Sequence, residues 1–79
     1  MTDETAERVR AIAAEVFGED PETMTSSTER GVLESWDSLA QLNLMLALED
    51  EFAIQLAPED IERMNTLGAV TDVVSERVK

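Results

Sequence analysis

The chain has no cysteine, no histidine and no tyrosine, and its only lysine is Lys79. The lack of cysteine removes disulfide frameworks and thiolate metal sites together, and leaves the redox compartment unmarked. The lack of histidine removes the usual general base for a serine nucleophile, so intrinsic hydrolase chemistry is not expected. No segment has the ligand spacing of an EF-hand loop, and no metal site is expected. No apolar run is long enough to span a bilayer, and the opening "MTDETAERV" is acidic, without the apolar stretch of a signal peptide. These absences predict a cytoplasmic protein with no membrane association.

Positive charge is scarce as well. Six Lys and Arg stand against eighteen Asp and Glu, a net charge of -12 over 79 residues. Such a surface repels phosphate backbones, so nucleic acid is not an expected ligand. It favours solubility, a monomeric state and steering toward basic partners, at the cost of self-repulsion when folded. The length predicts one small domain, residues 1–79, with a limited core.

The apolar residues Ala6, Val9, Ile12, Ala13, Val16 and Phe17 recur at spacings of three and four, which predicts an amphipathic helix from Asp3 to Phe17. Thr2 or Asp3 can cap it and Gly18 stands where it would stop. "GEDPETMTSSTERGVLESW" has no periodicity and is long for a connection in so small a chain; Val32, Leu33 and Trp36 near its end are expected to pin it to the core. A second helix is predicted from Ser38 to about Phe52, capped by Asp37, because its interior lacks Gly and Pro and is dense in Leu, Ala, Met and Glu. Pro58 opens a short third helix in "PEDIERM". Thr66 caps a last one, where Leu67, Val70, Val73, Val74 and Val78 form a stripe and Arg77 and Lys79 suit the C-terminal end. There is no internal repeat and no strand-like alternation. The fold class is all-α, a small four-helix bundle of three long helices and a short third one.

On a helical wheel, Leu44, Met45, Leu48 and Phe52 of the second helix share one half, the expected core face, with Gln41 as a polar intruder. Leu39, Leu42 and Leu46 lie on the other half, interleaved with Asn43, Glu49 and Asp50. Large apolar side chains ringed by polar ones make a docking surface, unless the helix is central and the leucines are core. Charge favours docking. Between Arg30 and Arg63 there is no basic residue, while Glu34, Asp37, Glu49, Asp50, Glu51, Glu59, Asp60 and Glu62 fall there. A field of one sign speeds encounter with basic partners.

Ser38 has three readings: a nucleophile, which lacks a base; a helix N-cap or first-turn residue; or a point of covalent attachment. The third has a physical rationale, since a phosphate esterified at a helix N-terminus meets free N–H groups and the positive end of the dipole.

"DSL" at Asp37-Ser38-Leu39, followed by "MLALEDEF" at Met45 to Phe52, resembles the second helix of acyl carrier proteins. The resemblance extends over nearly the whole chain, through the first helix, the long loop, the short helix after a proline and the valine-rich last helix opened by "NTLGAV". It implies that Ser38 receives 4'-phosphopantetheine from coenzyme A through a Mg-dependent phosphopantetheinyl transferase, and that the arm's thiol holds an acyl or aminoacyl group as a thioester. The chain would then be a non-catalytic carrier, a substrate for a loading ligase or acyltransferase and for the synthase or transferase enzymes of its pathway. Asp37 resembles the acid that precedes the modified serine. Leu39, Leu42 and Leu46 match apolar partner-binding positions, and Glu49 and Asp50 match acids that pair with partner Arg or Lys.

Three residues depart from the pattern. Trp36 stands where bacterial fatty-acid carriers usually have a small residue, and Ala40 and Asn43 where they often have acids; Trp36 reads as a loop anchor. The Gly-Gly usual before the serine in peptidyl carrier domains is absent. The expectation is a discrete carrier in a specialised pathway such as polyketide or other secondary metabolism. The alternatives are a general fatty-acid carrier or, from another class, an acidic helical adaptor that binds a basic protein through Leu39, Leu42 and Leu46 without a prosthetic group.

Overall fold

A computed structural model describes residues 4–78. The expected caps Thr2 and Asp3, and Lys79, lie outside the described residues. Four α-helices follow in order: α1 (Glu4–Phe17), α2 (Ser38–Phe52), α3 (Pro58–Arg63) and α4 (Leu67–Arg77), with no strand among the described residues. This is the small helical bundle that the periodicity predicts.

Each boundary has a local cause. Gly18 ends α1 in the left-handed region at φ 72°, and the Glu19 N–H reaches back to the Ala14 carbonyl at 2.9 Å. Asp37 caps α2 by accepting from the Ala40 N–H at 2.8 Å, and Thr66 caps α4 in the same way through Ala69. Pro58 opens α3, where the Asp60 carboxylate accepts from the Ala57 N–H at 2.9 Å. The end of α2 is less ordinary. Ala53 takes φ 54° in the left-handed cap position that glycine usually fills.

The core forms where α1 packs against both α2 and α4. Val9, Ala13 and Phe17 meet Leu44 and Leu48 from α2 and Val70, Val73 and Val74 from α4, all buried. Connections add Met24, Trp36 and Met64, also buried. Met45 and Phe52 of the expected core face are half-buried against this cluster. The stripe on α4 stops short of its expected end: Val78 is the cap residue after the last helical turn, where the chain leaves the helix, and is exposed.

The long loop is more ordered than its composition suggests. It contains a 3₁₀ turn at Pro21–Thr23, capped by Asp20, which delivers Met24 into the core. Farther along it runs beside the start of α4, with Arg30 N donating to Asn65 O at 2.8 Å, Leu67 N to Thr28 O at 3.1 Å and Gly68 N to Ser26 O at 2.9 Å. Gly68 permits that approach, since a Cβ there would stand 3.1 Å from the Ser26 carbonyl oxygen. Of the three residues expected to pin the loop, Trp36 is buried and Leu33 half-buried, but Val32 is 76% exposed. The turn that bonds the Val32 and Leu33 N–H groups to Glu29 O turns the Val32 side chain outward.

Candidate functional site

Ser38 is the first residue of α2 and is exposed. Asp37 satisfies the Ala40 N–H through its side chain and the Gln41 N–H through its carbonyl at 2.8 Å. The Ser38 and Leu39 N–H groups, first in the helix, have no intrahelical carbonyl to meet. They form the positive end of a helix of fifteen residues, the end at which Ser38 stands. The arrangement can hold an anion covalently tethered at that hydroxyl. It cannot activate the hydroxyl by itself, because no histidine exists in the chain.

Trp36, just before the cap, fixes the approach to α2. Its ring packs on Phe17 at 5.1 Å between centroids, and its Nε1–H donates to Gln41 Oε1 at 2.6 Å. The polar intruder on the core face is therefore a buried partner for the indole. Ser35 Oγ adds a bond to Glu19 at 2.8 Å, tying the end of the loop to the end of α1.

Leu39, Leu42 and Leu46 are 66%, 50% and 55% exposed, with Asn43 and Asp50 exposed beside them. The three leucines thus belong to the surface and not to the core. The acids around them divide into two sets. Glu34, Asp37, Asp50, Glu59 and Glu62 are exposed. Glu51 is paired with Arg8, whose guanidinium also lies 4.7 Å from the Phe52 ring centroid. Glu49 is half-buried and accepts from the Leu56 N–H at 2.9 Å, securing the segment after α2.

Asp60 departs most from the expected surface field. It is buried, and Arg77 donates to it at 2.5 Å from the last turn of α4. The Ala57 N–H, and then the Arg77 guanidinium, hold its carboxyl below the usual value against a burial that pushes it up. Arg63 closes the reverse connection with two bonds to Glu76 at 3.0 and 2.7 Å, and this pairing lowers the Glu76 carboxyl. The short α3 is thereby strapped to α4 by charges. Sequence reasoning missed this pairing, although an acid at the third position after a helix start was a local signal for the capping half of it.

Two open clefts, of about 140 and 270 Å³, lie along the long loop on either side of Met24, and neither is lined by Ser38. Among the described residues no group of His, Cys, Asp and Glu is placed to hold a metal ion, and no helix is long and apolar enough to cross a membrane.

The family model described as the phosphopantetheine attachment site matches residues 7–74. A curated acyl carrier protein of Thermosynechococcus vestitus is 32% identical over 75 residues, 95% of this chain and 93% of that protein. The solution structure of a holo acyl carrier protein from Geobacter metallireducens superposes with a TM-score of 0.84 at 26% identity, over 96% of this chain and 87% of the other.

Proposed function

This chain belongs to the acyl carrier protein family, and from that premise we propose that Ser38 bears its 4'-phosphopantetheine and that it serves a dedicated biosynthetic pathway, polyketide-like or aminoacyl-transferring. Members of the family are non-catalytic carriers, and membership sets aside the adaptor without a prosthetic group. When bound, the group supplies the thiol for thioester chemistry, which this cysteine-free chain lacks.

The observation that carries the assignment of Ser38 is its position: an exposed hydroxyl on the first residue of α2, beside N–H groups that the helix leaves unmet. In loading, Ser38 Oγ forms a bond to the coenzyme A phosphorus nearer pantetheine and the pyrophosphate P–O bond breaks. Adenosine 3',5'-bisphosphate leaves with the electron pair, and the serine proton passes to a base on the Mg-dependent transferase. Asp37 holds the first turn of α2 for this exchange. Leu39, Leu42 and Leu46, with Asn43, Glu49 and Asp50, form the surface met by the transferase, by a loading ligase or acyltransferase and by the pathway synthase. The cytoplasm, where coenzyme A is available, is the compartment this reading implies.

The dedicated pathway rests on the reduced acidic face. Asn43 is neutral, Glu51 is tied to Arg8 and Glu49 to Leu56, while Ala40 is buried and takes no part in that face. Partners built for a dense row of acids would find fewer charges here. The test is the intact mass of the protein and of Ser38→Ala after incubation with coenzyme A, Mg and a broad-specificity transferase. A gain of one phosphopantetheine on the wild type alone is expected; a gain on both places the group elsewhere. For the pathway, the loaded protein should accept malonyl slowly from a bacterial fatty-acid malonyl transferase, and Asn43→Glu should accelerate the transfer. Fast transfer to the wild type would exclude the specialised reading.

A further inference from the structure

Among the described residues, the buried side-chain polar atom left without a partner is Nε2 of Gln41. The residue is 5% exposed and its amide is oriented: Trp36 Nε1 donates to Oε1, which leaves Nε2 as the unmet donor. Trp36 is itself held against Phe17, so the pair cannot turn over without disturbing the core. A buried amide donor without a protein partner destabilises the fold, and such atoms are rare enough that each calls for a reason.

Gln41 follows Ser38 by three residues in α2, which sets the two Cβ atoms about 5–6 Å apart, with Ser38 exposed and Gln41 on the buried side of the same turn. Resting on the assignment of Ser38, we propose that Gln41 is a positioning residue for the prosthetic arm, its Nε2–H donating to the hydroxyl or carbonyl oxygen of the pantoyl segment. Those are the first acceptors along the arm after the phosphate, a few bonds from Ser38 Oγ, so they match a donor one helical turn away. The thiol end lies much farther along and is not held, so the contact is independent of cargo. Nε2 is shut from solvent in the structure, so the contact requires the groups that cover it to move aside once the arm is attached. The unmet donor favours that displacement, since engagement supplies the missing acceptor. Fixing the root of a chain with many rotors narrows the volume its thiol explores before a partner arrives.

The test compares apo and phosphopantetheinylated protein by ¹⁵N NMR, with intact mass recording the loading. In the loaded protein the Gln41 side-chain amide protons should show NOEs to the pantoyl geminal methyls, and their exchange should slow about fivefold, the factor that a hydrogen bond of average net strength confers. Gln41→Met, similar in volume but without a donor, should lose root immobilisation in its loaded fraction, seen as faster relaxation of those methyls. A Gln41 amide with the same shift and exchange in apo and loaded protein would overturn the proposal. Failure to load would be seen in the mass spectrum alone, and would remove the attachment at Ser38 and this contact together.

Discussion

Replacing Trp36 with Phe isolates the indole bond that organises the start of α2. The substitution keeps a ring against Phe17 and removes Nε1, so Gln41 Oε1 loses its 2.6 Å donor and the whole amide is left unpaired in the core. The lost bond costs about 1 kcal/mol and the newly unsatisfied oxygen about 1 kcal/mol more. The smaller ring adds about 1 kcal/mol of lost burial and packing, for a total near 3 kcal/mol. Gln41→Met alone strands the indole N–H but also removes the orphan Nε2, so it should cost only about 1 kcal/mol. With both changes no polar atom remains in the contact, and the double variant should cost about 1 to 2 kcal/mol. The cycle then has a coupling of about 2 to 3 kcal/mol, within the range of contacting pairs. Urea unfolding followed by far-ultraviolet circular dichroism reads all four proteins without relying on the lost tryptophan. At roughly 4–8 °C per kcal/mol in a chain of this size, Trp36→Phe should melt more than about 10 °C below wild type. Additivity of the two single changes within about 0.5 kcal/mol would refute the reasoning, since it would mean that the hydrogen bond does not couple the pair.

The strap between α3 and α4 predicts a pH signature. The Asp60 carboxyl is lowered from its ordinary value of 3.8, so its contribution is complete above that value and is lost as pH falls through the lower folded one. The stability difference between wild type and Asp60→Asn should be constant above about pH 5 and should shrink in acid; a difference independent of pH would exclude the ionised strap. Ala53 holds φ 54° at the end of α2, so Ala53→Gly should raise stability by about 0.5–1 kcal/mol, and an unchanged or lower melting temperature would show that the cap is unstrained. Raising ionic strength from about 0.01 to 0.15 M shortens the screening length from roughly 30 to 8 Å, which should raise the melting temperature of a chain of net charge -12. A flat response would mean that self-repulsion is not a significant opposing term.

Local chemistry made much of this protein legible before any coordinates. An uninterrupted apolar segment behind Asp37 predicts α2 from Ser38 to Phe52, and the same bounds occur in the structure. Pro58 and Thr66 mark the starts of α3 and α4 equally well, since a fixed φ and a capping hydroxyl act within one turn. The position of Ser38 on α2 was legible for the same reason. What the wheel left open was which side of α2 the protein covers. Because α2 is apolar nearly all round, periodicity cannot tell a core leucine from a docking leucine, and only the packing of α1 on Leu44 and Leu48 leaves Leu39, Leu42 and Leu46 outside. Gln41 and Asp60 make the same point for polar residues. Composition marks one as an intruder and the other as a surface acid, yet each is buried by a partner that the chain brings in, Trp36 across the entry turn and Arg77 seventeen residues away. Caps, breakers and helical period act over a few residues and can be read along the chain; burial, and the partner that makes a buried polar group tolerable, depends on contacts that only the folded chain creates.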